Sequence, residues 1–245
     1  MIQTVPGHLL WREEIESETN AYVRAKMACF ADLRETYVER WFPVVGEVAV
    51  PAWFVELTAT ERDVLIEERW RQTHRRPSLQ LSAFDTLVER LERLVRSAQT
   101  QSAIGAAFLR LGSRAPLDSP QLRAASLQVD GGVEALDVLL DSQRVFEDLC
   151  LAQECDYLPA VVVRPWLEVP LRIELRARYQ DGAFTEVRPR YGTGSPAPDA
   201  LSALERRLAV VAAHFGSRHL ITDWIVGGEA WLVDVDLPAG NRVPD

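Results

Sequence analysis

Lysine is nearly absent from this 245-residue chain: of 27 basic residues only Lys26 is a lysine, and arginine fills the other 26 positions. No lysine-dependent motif can therefore be read literally, because a position that calls for lysine can carry arginine, with the same charge and a larger planar head. Cysteine is scarce as well. Cys29, Cys150 and Cys155 are an odd number, and the last two are spaced too widely for a C-x-x-C knuckle, which argues against a disulfide framework or a structural zinc. No apolar run approaches the roughly 18 residues of a membrane span, and the opening MIQTVPGHLLWREEIESE has no basic segment leading into an apolar one. The expectation is a cytoplasmic protein that makes no use of a membrane.

An excess of positive charge is also lacking. A net charge of −9 and an isoelectric point near 5.1 argue against broad nucleic-acid binding. There is no G-x-S-x-G elbow, no H-E-x-x-H helix and no Walker G-x-x-x-x-G-K loop. His8, His74, His214 and His219 are scattered, and the last two flank a helix end, where capping is a commoner role than catalysis.

What is present is a globular composition, 47% hydrophobic and 26% charged, enough to bury a core in one large or two small lobes. From His8 to about Phe42 the apolar spacing predicts helix, and VVGEVAVPAWFVEL predicts one or two short strands. TATERDVLIEERW opens with threonine caps. SAFDTLVERLERLVRSAQ, with Ser82 as its expected cap, carries an apolar stripe of Phe84, Leu87, Leu91 and Leu94. Beyond residue 103 strands dominate, with hairpin turns expected at Asp181-Gly182 and Gly227-Gly228. VEALDVLLDSQRVFEDLCLAQE and ALSALERRLAVVAAHF are the helices between them. The division drawn is 1–102, a mostly helical part of the first lobe, and 103–245, the core that would bind a ligand.

One strand poses a chemical question. In WLVDVDLPAG, Asp234 and Asp236 are two positions apart, so they share a face with Cα atoms about 6.5–7 Å apart. A two-residue turn at Gly227-Gly228 would pair Val226 with Glu229 and Asp223 with Leu232, putting Asp223 on that face too; a slip of one residue would move it to the other. Oxygen-rich clusters of this kind suit a hard cation, which commonly takes one or two carboxylates and fills its remaining positions with water and phosphate. The structural alternative is a strand end whose carboxylates are matched by nearby arginines. Arg110 on one strand and Arg176 on another could clamp phosphate through their planar guanidinium groups, or could form salt bridges. Arg75, Arg76 and Arg114 read as solvated, and Gly-Thr-Gly-Ser at 192–195 as a surface loop.

Four segments taken in order resemble the cell division cycle protein 123 family of the ATP-grasp superfamily. FLRLGSRAPLDS is similar to its basic strand and Ser-Pro-Lys-Asp loop, and ALDVLLDSQRVFEDL to its Leu-x-Ser-Ser helix. VVVRPWLEVPLRIELRARYQDGAFTEVRPRY resembles its Val-Leu-Arg-Lys-Trp hinge and following hairpin, and LITDWIVGGEAWLVDVDLPAG its closing Leu-Ile-Asp-Phe-Asn-Pro-Phe hairpin. The resemblance covers most of the chain and rests on order and spacing. It implies an α+β, ATP-grasp-like fold: two α+β lobes with mainly antiparallel sheets enclosing a nucleotide cleft. It also implies ATP and magnesium (Mg2+) as cofactors, with Asp223, Asp234 and Asp236 as metal ligands. Arg110 would stand in for the nucleotide lysine, Arg164, Pro165, Trp166 and Leu167 would form the adenine hinge, and Arg176 and Arg188 would be further nucleotide contacts. Two departures are the arginine at 110 and the aspartate at 236, where the family usually has asparagine. The implied function is a ligase-like enzyme acting on an acceptor substrate. The alternative is a non-catalytic assembly factor acting on a protein client, as the eukaryotic members act on translation initiation factor two. The Arg- and Ala-rich composition suits a bacterial member.

Overall fold

The computed structural model describes residues 17–120, 128–167, 173–191 and 195–238. The expected N-terminal helix is three shorter ones, α1 (Ser17–Met27), α2 (Phe30–Arg34) and α3 (Val38–Val45); residues 8–16 lie outside the described residues. The breaks have local causes. Thr36 Oγ1 donates to the Leu33 carbonyl at 2.7 Å, and Tyr37 is extended, so the chain turns before α3 begins.

The valine-rich stretch that follows holds one short strand, within the one or two expected. Gly46–Val48 is a 3-10 turn, Ala49 makes a single bridge to Leu232, and only β1 (Trp53–Glu56) is a strand; Pro51, with no N–H to donate, lies between. α4 (Ala59–Thr73) starts with a full capping box, in which Glu61 N–H donates to Thr58 Oγ1 and Thr58 N–H donates to the Glu61 carboxylate. α5 (Asp85–Gln99) buries Leu87, Leu91, Val95 and Ala98. Ser82 is not its cap, because Leu81–Ala83 form a separate 3-10 turn. After β2 (Ala107–Leu111), the long helix expected at 132–154 is two helices, α6 (Gly132–Asp141) and α7 (Gln143–Glu154). Ser142 is extended and ends the first, and its Oγ accepts from Val145 N–H to cap the second. The remaining elements are β3 (Ala160–Pro165), β4 (Ile173–Gln180), β5 (Ala183–Pro189), α8 (Pro198–Phe215), β6 (His219–Gly227) and β7 (Glu229–Asp236).

The strands form two antiparallel sheets, one of three strands in the order β1-β3-β2 and one of four in the order β5-β4-β6-β7. Each has its own apolar core. α1 and α4 to α7 pack on the first sheet, and α3 and α8 on the second. β3 belongs to both cores because its alternate side chains go opposite ways: Val161 and Val163 enter the first and Val162 the second. The Val50 N–H donates to the Leu232 carbonyl at 3.0 Å, tying the segment after α3 to the far sheet. β1, from residues before 103, pairs with β3, so the first sheet draws on both sides of that division. Among the described residues no helix is long and apolar enough to cross a membrane.

The Gly227-Gly228 hairpin corrects the expected register. Gly227 pairs with Glu229 around Gly228, at φ 87°, so Trp224 lies opposite Leu232 rather than Trp231. That one-residue slip would have turned Asp223 to the other face. A β-bulge restores it: Val233 is the extra residue, and Asp223 lies directly opposite Asp234.

Candidate nucleotide cleft

The faces the two sheets turn toward each other carry the charged residues. On the first sheet Arg110 lies opposite Val162 and Arg164 opposite Phe108, so both guanidinium groups leave from the face away from the first core. On the second sheet Glu174, Arg176, Asp223 and Asp234 occupy the face opposite Leu175, Ala177, Tyr179 and Trp224, which pack under α8.

Arg110 is 2% exposed. Its Nε donates to the Leu111 carbonyl at 2.9 Å, one Nη donates to the Ser113 carbonyl at 3.2 Å, and the other lies 3.0 Å from Asp234 Oδ2. Arg164 is 3% exposed, and its Nη1 donates to the carbonyl of the bulge residue Val233 at 2.7 Å. Its Nε and Nη2 are buried without a hydrogen-bond partner. Burial, with Arg110 close by, pushes the Arg164 pKa down to about 9, so the group is still charged at neutral pH. Arg176 makes a two-pronged bond to Asp223, Nε to Oδ1 and Nη2 to Oδ2, each at 2.8 Å, and this ion pair raises its pKa.

Arg190 lies 3.2 Å from Asp223 and 3.7 Å from Glu174. It was not among the expected site residues, although its place two positions after Arg188, just past the end of β5, signalled it. Arg188 itself is exposed and lies opposite Arg176.

Two cavities occupy the cleft and share a wall that includes Ala115, Leu117, Arg190 and Asp234. The smaller, about 170 Å3, brings together Arg110, Arg164, Pro165, Trp166 and Leu167, with Phe108, Tyr191 and Ile225 as apolar surface. The Trp166 backbone is engaged on both sides: its N–H donates to the Ala106 carbonyl and its carbonyl accepts from Ser102 Oγ, each at 2.9 Å. The larger cavity, about 240 Å3, takes in Arg176 and all three aspartates, 223, 234 and 236. Arg188 lines neither.

Arg114, expected in solvent, borders the larger cavity with its side chain 18% exposed. It donates to Glu147 at 2.7 Å and to Asp148 at 3.0 Å and lies over the Tyr22 ring. Asp148 also accepts from Tyr22 OH at 2.6 Å and Ser113 Oγ at 2.5 Å. These carboxylates drew Arg114 inward, a non-local pairing with no trace in the local sequence.

For a cation, the carboxylate oxygens of Asp223, Asp234 and Asp236 are the right chemistry. Among the described residues, however, no group of three or more His, Cys, Asp or Glu is gathered closely enough to hold a metal ion by itself. The donor set suits magnesium shared between one or two carboxylates and a phosphate, and does not form an all-protein cage.

Solved structures similar to this chain include Cdc123 from Schizosaccharomyces pombe and its C-terminally truncated form. Each is 15% identical, with 84% of both chains covered and a TM-score of 0.64. The chain shares its fold with Cdc123. This is the ATP-grasp-like α+β fold that the sequence resemblance implied. D-cycloserine synthetase DcsG is 13% identical over 93% of this chain and 72% of its own, with a TM-score of 0.41. No family profile and no curated protein matches the sequence.

Proposed function

We propose that the cleft binds ATP with magnesium and that the chain is a ligase-like enzyme, using the nucleotide to activate a carboxylate or phosphate group by phosphoryl or nucleotidyl transfer. The observation that carries this reading is Arg164. A guanidinium 3% exposed, with two nitrogens lacking any partner, is costly unless an acceptor completes it, and it lies where the apolar cavity meets Arg110 and Asp234. A nucleotide supplies both parts: a flat apolar base for the Phe108, Trp166 and Tyr191 end, and phosphate oxygens for Arg164, Arg110 and Arg176.

In this reading Arg110 and Arg176 exchange their carboxylates, wholly or in part, for phosphate. That frees oxygens of Asp234 and Asp223 to hold magnesium, which when bound would offset phosphoryl charge. The arginines orient the phosphates and neutralise charge that develops in transfer.

The second reading is a nucleotide-dependent assembly factor without turnover. It is favoured by the commitment of Asp223 and Asp234 to arginines, which leaves neither as a free base. Titration with MgATP, followed by a screen for ADP or AMP release with candidate acceptors, tests both. Binding should raise stability by about 2.7 kcal/mol at 100 times the dissociation constant. ADP release indicates phosphoryl transfer and AMP release nucleotidyl transfer; tight binding without release under any condition supports the assembly factor. An unchanged melting curve at millimolar MgATP removes the nucleotide reading altogether.

A further inference from the structure

The larger cavity extends past the aspartates to a second end, built from α1, α2 and α7 and the loop after β2, which the nucleotide reading leaves without a ligand. Its wall includes Tyr22, Lys26, Tyr37, Ser113 and Arg144. The cations bordering the cavity divide into two sets. Arg114, Arg176 and Arg190 are each neutralised by carboxylates at 3.2 Å or less. The Lys26 ammonium and the Arg144 guanidinium are in no ion pair among the described residues.

Lys26 is 8% exposed, and its ammonium lies 5.4 Å from the centre of the Tyr22 ring. Arg144 uses its backbone N–H on Asp118 at 3.1 Å and its carbonyl on Arg114 at 2.9 Å, while its side-chain Nε is buried without a partner. Two cationic groups, one nine-tenths buried and one with an orphaned donor, thus border a single cavity, and neither side chain is in an ion pair among the described residues. Hydrogen bonds tie together the two helices that carry them. Thr19 on α1 accepts from Gln143 on α7 at 2.9 Å, and Tyr22 donates to Asp148. Composition adds an independent mark, since arginine fills every other basic position of the chain. An ammonium is a compact point charge with three donors, and it suits a close contact that a planar guanidinium would crowd.

We propose that Lys26 and Arg144 form an anion site for a second, small ligand bearing a carboxylate or phosphate group, separate from the nucleotide's phosphate contacts. At about 240 Å3 the whole cavity falls below the roughly 300–1,000 Å3 of a drug-sized pocket, so the ligand is of metabolite size rather than a folded partner. Its anionic group sits at Lys26 and Arg144, and the rest of the molecule points along the same cavity toward Asp223 and Asp234. Its role as co-substrate rests on the nucleotide reading; its binding does not.

The test uses the full chain and two probes, succinate and inorganic phosphate, each titrated calorimetrically with and without MgATP. At least one probe should bind the wild type at millimolar concentration. Lys26→Gln and Arg144→Gln should each weaken it by about tenfold, the size expected for one charge-assisted contact. Lys26→Arg, which keeps the charge, should retain more affinity than Lys26→Gln, and MgATP affinity should be unchanged in all three variants. Melting curves run in parallel identify any variant that has failed to fold, and Lys26→Arg then carries the comparison. If neither probe binds the wild type, or both bind Lys26→Gln and Arg144→Gln as well as the wild type, the site does not exist. If a probe binds as described while MgATP does not, the anion site stands and the nucleotide reading fails.

Discussion

Arg110 on β2 and Asp234 on β7 join the two sheets through a single ion pair, Nη1 to Oδ2 at 3.0 Å, with the arginine side chain 3% exposed and the aspartate 22%. This reverses an expectation that carboxylates alone would suggest. Asp223 and Asp234 lie directly opposite each other, and two bare charges so placed would repel. Here each is answered by arginine, and Asp234 also offsets the neighbouring Arg164. Replacing Asp234 with Asn therefore leaves two buried guanidinium groups without their carboxylate. The ligand-free protein should lose about 3 kcal/mol, somewhat less than a fully buried pair because Asp234 is partly wet. Denaturant melts of the variant measure this; a gain in stability would mean that carboxylate repulsion dominates the cleft.

Arg164 makes the opposite forecast. Its Nη1 bond to Val233 is one contact set against two orphaned nitrogens and full burial. Arg164→Met keeps the volume and removes the stranded charge, so the ligand-free protein should be as stable as the wild type or gain about 1–2 kcal/mol. Its affinity for MgATP should fall by about tenfold or more as charge-assisted contacts are lost. A variant that is both more stable and weaker in binding marks a residue kept for a ligand. Loss of stability with unchanged affinity would make Arg164 a structural residue.

The parts of this site legible in the sequence are those governed by short spacing. Alternation along β7 put Asp234 and Asp236 on one face, and Arg110, Arg164 and the hinge residues after it do gather at one cavity. What stayed hidden depended on partners far along the chain. Arg114 is drawn inward by Glu147 and Asp148 across more than thirty residues, and nothing near position 114 records them. The hairpin shows why register is hard to read: the turn closes one residue tighter than two glycines suggest, and the Val233 bulge cancels the slip. The helix breaks at Thr36 and Ser142 came from hydroxyl groups competing for backbone partners, an effect that apolar periodicity does not carry.

Gly132 opens α6 where that helix crosses α5. A Cβ added there would collide with the Val88 carbonyl oxygen and lie 2.8 Å from the Glu92 nitrogen, both backbone atoms of α5. Backbone cannot rotate away as a flexible side chain can, so Gly132→Ala must push the two helices apart. The expected loss is about 3 kcal/mol, at the upper end for overpacking. Since α6 and α5 lie in the first core, away from the cleft, MgATP affinity of the folded fraction should be unchanged. Melting and titration of this one variant separate a packing role for the glycine from a role in the site.

Glu39 on α3 gives a pH test. Its Oε1 accepts from Tyr157 OH at 2.9 Å and from the Ala160 N–H at 3.4 Å, while its Oε2 is buried against Gly112 without a partner. Burial raises its pKa above the ordinary carboxylate value, outweighing the hydrogen bonds that favour the charged form. A carboxyl group whose folded pKa is raised holds its proton longer in the native state than in the unfolded chain. Its contribution to stability is thus greatest below the unfolded pKa and declines as pH rises through the folded one. Each unit of separation costs the native protein about 1.4 kcal/mol by the time both forms are ionised. Glu39→Gln has nothing to titrate and keeps an oxygen for Tyr157. It should be more stable than the wild type at neutral pH, and the difference should shrink as the pH is lowered toward the ordinary carboxylate range. Unfolding free energies of both proteins across that range check the forecast; a difference that grows on acidification would mean that the ionised Glu39 stabilises the fold.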